Sequence, residues 1–508
     1  MKKILYTIIF VAAVSTTFAQ NLVDALRLSD HQIQGTARST AMGNAFGALG
    51  ADFTSASINP AGMGLYRSSE FVFTTQLGSS EVKANYLGTN ASDSKFNLSV
   101  PNIGYVINFP SAPNSTSSLV SFSMGLGYNR MQNFNANKLV MGQGATSSML
   151  DQFAVNADNG IIDEAYEDLA IGTGLIYYYD EDPGQTYFHD LLKYHLDDPD
   201  NLENYSHDQR KTFAQKGSID EYTISFAANF NHKVYLGATI GIHDVYFKET
   251  SSFVESNVDY EGNDFIYQLN DYGFNSYLKT TGSGFNFKAG AIFKPVDELR
   301  IGLAFHSPTF YDLHDSYDTY MYSNISESGQ NRFSDAASPY YDYDYQMETP
   351  MKGILSAAYV IGKAGLISVD YEYVDYSNIK LRDGGDGYNF TNENQDIDEA
   401  YKAVGNLRIG GEYRVNNFFS LRGGYEYLPS PFKSESFGVT QLNADANTSS
   451  YAAGFGIRSG GFFFDMAYKY TEQTSYLELY QVPTSVDSPM AKFDQQDHQV
   501  TFTLGFRF

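Results

Sequence analysis

Residues 500–508 read VTFTLGFRF. Val500, Phe502, Leu504, Phe506 and Phe508 share one parity, and Thr501, Thr503, Gly505 and Arg507 share the other. A period of two is that of an extended strand with one apolar and one polar face. The same pattern recurs upstream. In VYLGATIGI, Val234, Leu236, Ala238, Ile240 and Ile242 oppose Tyr235, Gly237, Thr239 and Gly241. In FNFKAGAIF, Phe285, Phe287, Ala289, Ala291 and Phe293 oppose Asn286, Lys288, Gly290 and Ile292. Further copies are LRIGLAF from Leu299, LISVDYEY from Leu366, LRIGGEYRV from Leu407, FSLRGGYEY from Phe419 and FFDMAYKY from Phe463.

About fourteen such segments begin near residues 68, 96, 118, 219, 233, 272, 298, 340, 364, 401, 417, 449, 461 and 495, an even number within the range of single-chain outer-membrane barrels. Links after even-numbered strands are short (FNHK, KPVDE, IGKAG, RVNN, SGG), and those after odd-numbered strands are mostly long and polar. A soluble all-β array also alternates, but nothing in it requires every second link to be short. The expectation is therefore an all-β, transmembrane antiparallel barrel over residues 68–508, with both termini periplasmic. Tyr371, Tyr373, Tyr376, Tyr425, Tyr427, Tyr468 and Tyr470 cluster where odd-numbered strands end, as an aromatic girdle would. The terminal Phe resembles the signal that barrel-assembly machinery reads.

Composition agrees. Residues 1–19 carry a charged start (Met1-Lys2-Lys3), an apolar stretch (Ile4 to Val14) and a small-residue end (Thr17-Phe18-Ala19), the plan of a signal peptide cleaved before Gln20. No later stretch is apolar enough for a membrane helix, and the mean hydropathy is −0.32. Cys is absent, which removes disulfides and thiolate metal sites, while Tyr (41) and Phe (38) raise aromatics to 16%. Lys and Arg number 33 against 59 Asp and Glu, a net of −26 that argues against nucleic acid and other partners read through phosphates. Residues 136–218 read as one large acidic external loop, whose part from Asp151 to Ser218 holds 15 Asp/Glu and 4 Lys/Arg. Within it, 163–179 and 186–196 have helical spacing.

Residues 20–67 do not alternate. ARSTAMGNAFGALGADFTSASINPAG is rich in Gly, Ala, Ser and Thr and cannot fold alone, but small residues suit close packing inside a lumen, and Pro60 fixes a turn while keeping Asn59 extended. This segment reads as a plug or hatch. Followed by about fourteen strands, it resembles the FadL/TodX (OMPP1) family of outer-membrane transporters of hydrophobic compounds, whose hatch carries an Asn-Pro-Ala motif matched here by Asn59, Pro60 and Ala61, with Gly62 next. The resemblance implies passive, hatch-gated uptake of substrates such as long-chain fatty acids. It also implies a lateral exit at a kink in the third strand, SLVSFSMGLGYNRMQNF, where Gly125 and Gly127 are candidates.

Lumen-facing parity also places Lys288, Arg300, Arg408, Arg422 and Arg458 as candidate substrate-binding groups, alongside Glu412, Arg414, Glu426, Asp465 and Lys469. If Arg414 faces Ser420, then Glu412 faces Arg422 and Arg408 faces Glu426, so ion pairing within the wall is the competing role. His189, His195 and His207 lack metal-ligand spacing, and Asp180-Glu181-Asp182 lacks the EF-hand pattern, so no metal and no cofactor is expected. His243, His306 and His498 lie on strands without a flanking nucleophile signature, which argues against an enzyme. A non-selective porin and a secretion or surface-docking partner are the alternatives. A monomer contacting outer-membrane lipid is expected.

Overall fold

The computed structural model describes residues 22–112, 116–178, 187–189, 206–256, 258, 267–327, 329–434, 441–481 and 490–508. The signal-peptide reading lies outside these residues, as do His195, the acidic triplet 180–182 and most of the segment 186–196. The parity of VTFTLGFRF becomes two environments. Thr501 and Thr503 are buried toward the lumen, whereas Leu504 and Phe506 face outward, 42% and 51% exposed. The outward apolar residues Leu236, Ile240, Phe285 and Phe287 form a lipid-facing belt of the same kind.

Fourteen strands make the wall: β1 Glu70–Tyr86, β2 Thr89–Pro110, β3 Leu119–Asn133 continued by Ala136–Ala145, β4 His207–Phe230, β5 Val234–Ser256 and β6 Tyr267–Phe293. β7 follows (Leu299–His306 and Phe310–Glu327), then β8 (Gln330–Ala337, Tyr341–Glu348 and Lys352–Ile361), β9 (Gly365–Asp375, with Lys380–Asp383) and β10 Ala403–Arg414. β11 Phe419–Leu428, β12 Thr448–Ser459, β13 Phe462–Glu478 and β14 Met490–Arg507 complete it. Each strand pairs antiparallel with the next, and β14 returns to β1 with Arg507 opposite Glu70, closing the sheet and leaving its rows of backbone groups paired. The register expected between β10 and β11 is the one observed: Arg414 opposite Ser420, Glu412 opposite Arg422 and Arg408 opposite Glu426.

The large loop is shorter than expected. Ala136–Ala145 is strand, paired with the start of β4, which begins at His207 rather than near 219. These polar extensions need no lipid-facing side, so they lack the alternation that marks the wall. The hairpins that follow β1 and β7 are also long, paired out to Tyr86 opposite Thr89 and Glu327 opposite Gln330. In the loop, helices α4 Met149–Asp158 and α5 Glu167–Gly172 are present, α4 starting from a Ser148–Asp151 capping box. α5 falls inside the expected helical stretch 163–179; α4 was not foreseen, and Tyr187–Phe188 pairs as a short strand with Tyr177–Tyr178.

The lumen is occupied by residues 22–65. Three short helices (α1 Leu22–Arg27, α2 Ala37–Ala41 and α3 Ser55–Ile58) and a 3₁₀ turn (Pro60–Leu65) make a plug that is buried almost throughout from Gly35 onward. Leu22–Arg27 packs beside the helix Thr391–Ala400 of a long link, and the Tyr401 hydroxyl donates to the Leu22 carbonyl at 2.8 Å. The first described residue thus lies at the long-link end of the barrel, whereas Phe508 pairs with Ser69 at the short-turn end. From Leu22 the segment runs down the lumen before entering β1. Tyr376 departs from the expected aromatic girdle. It is buried and donates to Asp30 at 3.1 Å, while Tyr371, Tyr373 and Tyr468 are exposed on the outside.

Candidate functional site

Asn59, Pro60, Ala61 and Gly62 form the tightest junction between plug and wall. Pro60 keeps Asn59 extended (φ −142°, ψ 102°), which aims its side chain back over the following turn. Its Oδ1 accepts from the Ala61 N–H at 3.1 Å, and its amide donates to the carbonyls of Gly47 (2.6 Å) and Ala291 (3.4 Å). The wall answers with glycines. A Cβ on Gly290 would stand 1.9 Å from Asn59 Oδ1, and one on Gly237 2.3 Å from the Pro60 carbonyl carbon. The small residues of this segment serve backbone contact.

The third strand departs from its neighbour beside this junction. β2 and β3 pair from Pro110 opposite Ser121 up to Asn102 opposite Asn129, and no farther. Beyond that point the Arg130 carbonyl accepts from the Gln34 N–H of the plug at 3.0 Å, and the Asn129 amide donates to Ser57 Oγ at 2.9 Å. Residues 89–101 of β2 pair only with β1 among the described residues. The break coincides with a bulge in which Val100 and Pro101 oppose the single Thr75, at a residue with no N–H to donate. Gly125 and Gly127 do not make the bend. Both lie in regular register, opposite Val106 and Gly104, and a Cβ on either would strike Met63 (2.5 Å) or Phe53 (2.3 Å) of the plug. Their role is to admit plug side chains.

The five candidate cations separate into three groups. Arg408 lies between Glu426 (2.8 Å) and Glu372 (3.3 Å), and Arg422 pairs with Glu412 (2.8 Å) and Asp465; all are buried, so these two are spent inside the wall. Arg38 of the plug joins them through Glu412 at 3.1 Å. Lys288, also buried, pairs with Glu221, which accepts from Ser57 Oγ at 2.6 Å as well. Lys288 borders a small void above the plug, about 30 Å³, with His31, Met131, His306 and Lys352. Arg300 and Arg458 instead line a separate cavity of about 400 Å³ below the plug, at the short-turn end. Lys352, and Arg67, Lys294 and Lys363 beside Arg300, escaped sequence reasoning. Lys352 shares lumenal parity with Ile354, Ser356 and Ala358, which was the available signal.

Above the plug the interior turns apolar. Val245, Phe247, Tyr311, Leu313, Tyr345 and Met347 point inward and pack with Leu28 of the plug and Met131 of the bent β3. A second apolar cluster lies under α4, around Leu150, Phe153, Phe253 and Tyr272. The barrel therefore has an apolar cluster in its lumen toward the long links, a plug of mostly small residues in the middle and a gap in wall pairing between. Among the described residues no His, Asp or Glu cluster has the geometry of a metal site.

A family model for outer-membrane transport proteins (OMPP1/FadL/TodX) matches residues 210–507, more than half of the chain. The chain belongs to this family. It is accordingly a β-barrel channel for hydrophobic compounds, and the family's work is transport rather than catalysis. Among solved structures, the toluene transporter TodX of Pseudomonas putida is similar with a TM-score of 0.50 at 12% identity, over 94% of this chain and 99% of that one. A FadL homologue of Pseudomonas aeruginosa gives 0.51 at 13% identity, over 93% and 98%. At such identities the likeness is one of fold. No curated protein sequence matches the chain.

Proposed function

We propose that this FadL/TodX-family barrel takes up hydrophobic small molecules passively, long-chain fatty acids among them, across the outer membrane of a Gram-negative cell, acting as a monomer with its short turns in the periplasm. The observation that carries the reading is the apolar lumen of the long-link half beside the unpaired stretch of β2. A porin's water-filled channel is polar inside, whereas the long-link half of this lumen holds a buried apolar cluster. Cargo collects among Phe247, Tyr311 and Leu313, is stopped by the plug, and leaves sideways into the membrane between β2 and the bent β3. The plug governs this exit by holding the bend: Gln34 and Ser57 fix residues 129–130, and Asn59 to Gly62 fix the plug against β5 and β6. A cargo carboxylate in the lumen meets Lys352, with Lys288 next to it.

The test is uptake of labelled long-chain fatty acid by cells lacking their own transporter, expressing the wild type or an Asn59→Ala, Pro60→Ala variant at equal surface level. Uptake by the wild type that falls in the variant is the expected result. No uptake of fatty acid, with uptake of a labelled monoaromatic hydrocarbon, would keep the route and change the cargo. No uptake of either would overturn the reading and favour a secretion partner.

A further inference from the structure

The cavity below the plug has no part in that route. It is lined by eight Lys and Arg side chains and one carboxylate, Glu412, in a chain whose net charge is −26. Three of the eight have acidic partners: Arg38 with Glu412, Arg507 with Glu70 and Lys294 with Asp297. Arg67, Arg300, Lys363, Arg414 and Arg458 have no ion-pair partner among the described residues. Arg67, Lys363 and Arg414 stand exposed at the mouth, with Arg300 and Arg458 half-buried behind them. Arg300 donates one Nη to the Leu49 carbonyl at 3.2 Å, and its buried Nε meets no acceptor. Cations gathered at one recess repel unless an anion joins them, most strongly at the half-buried Arg300 and Arg458. Leu65, Tyr235 and Leu366 add an apolar side to the same cavity.

We infer that this cavity binds a small organic oxyanion, a carboxylate or phosphate with a short apolar tail, entering from the short-turn mouth. Guanidinium forks match both head groups in geometry, and five unpaired cations supply the charge. The tail lies along Leu65 and Leu366. Part of the lining comes from plug residues 49–51 and 65–67, on either side of the Asn-Pro-Ala-Gly turn, and part from wall residues Arg300, Arg414 and Arg458. A bound anion therefore ties plug to wall, and its occupancy steadies the plug from below. The site stands independently of the cargo reading, because it can be loaded in purified protein that transports nothing.

The experiment is calorimetric titration of the full chain in neutral detergent with octanoate, octyl phosphate and octanol. One or both anions should bind, octanol should not, and affinity should fall as NaCl rises from about 50 to about 300 mM. The stronger of the two anions identifies the head group. The exposed pair Arg67→Gln, Arg414→Gln should weaken binding about threefold, and Arg300→Gln, Arg458→Gln about tenfold or more. Heat-modifiable gel migration shows that each variant is folded, and the mouth pair does not disturb buried structure. Octanol binding as tightly as octanoate, no anion binding at millimolar concentration, or unchanged affinity in the mouth pair would overturn the inference. So would loss of binding in Lys352→Gln with none in the mouth pair, which would move the anion into the cargo lumen.

Discussion

Glu412 accepts from two guanidinium groups, Arg38 of the plug at 3.1 Å and Arg422 of β11 at 2.8 Å, and is itself 5% exposed. Glu412→Gln leaves both cations with less charge to face, and breaking a buried pair in this way costs about 3–5 kcal/mol. The denaturant midpoint of the reconstituted barrel should drop accordingly. Adding Arg422→Gln should then cost less than it does alone, and a cycle without coupling would detach the pair from stability. Steric contact makes the companion case at Gly237. Gly237→Val drives a side chain into the Pro60 backbone, overpacking worth about 1–3 kcal/mol, whereas Gly353→Val meets nothing within 4 Å. The first should admit bulky antibiotics into cells and the second should not. Parity showed that Glu412, Arg422 and Lys288 face the lumen, and the charge pairing of β10 and β11 was legible from it. Parity could not show which cations the plug leaves unpaired. That depends on contacts between residues far apart in sequence, and the chain-wide −26 conceals the local excess around Arg300.

The wall strands were readable where lipid imposes alternation, as in 234–242 and 285–293, and unreadable where strands rise beyond it. Residues 207–218 (HDQRKTFAQKGS) have no clean apolar face yet pair fully with β5. The resemblance points to Gly125 and Gly127 for the bend of β3, where glycine weakens a strand; the mark lies on the neighbouring strand, at Pro101, and on the plug. The bridge that holds the bend uses the Gln34 backbone N–H, so its side chain is dispensable. Gln34→Ala should take up cargo at the wild-type rate. Gln34→Pro removes the donor and frees residues 130–133 to approach β2, and its uptake should fall severalfold at equal surface level. Equal uptake by both variants would separate the bend from transport.

For the molecule as a whole, the question is whether cargo passes through the plug's position or beside it. Some 40 residues of small side chains fill the middle of the barrel, anchored at Thr503, Glu412, Asp370, Glu221 and the carbonyl of Ala291. Expelling the plug would break all of these contacts together and expose charged wall groups, whereas a shift confined to residues 32–34 gives up two hydrogen bonds to the wall, Gln34 to Arg130 and Gln32 to Gln132. The cheaper motion is the local one. Because the chain has no Cys, a single engineered disulfide can distinguish the two. Ala41 of the plug and Ala467 of β13 are both fully buried in one contact cluster, on a part of the wall separated from the bent β3 by β14, β1 and β2. Ala41→Cys, Ala467→Cys should, once oxidised, keep cargo uptake within about twofold of its reduced form, a difference of under 1 kcal/mol in the barrier. Uptake that stops on oxidation and returns with reductant would show that the plug must leave its seat, and the exit would then lie through the barrel floor rather than its side.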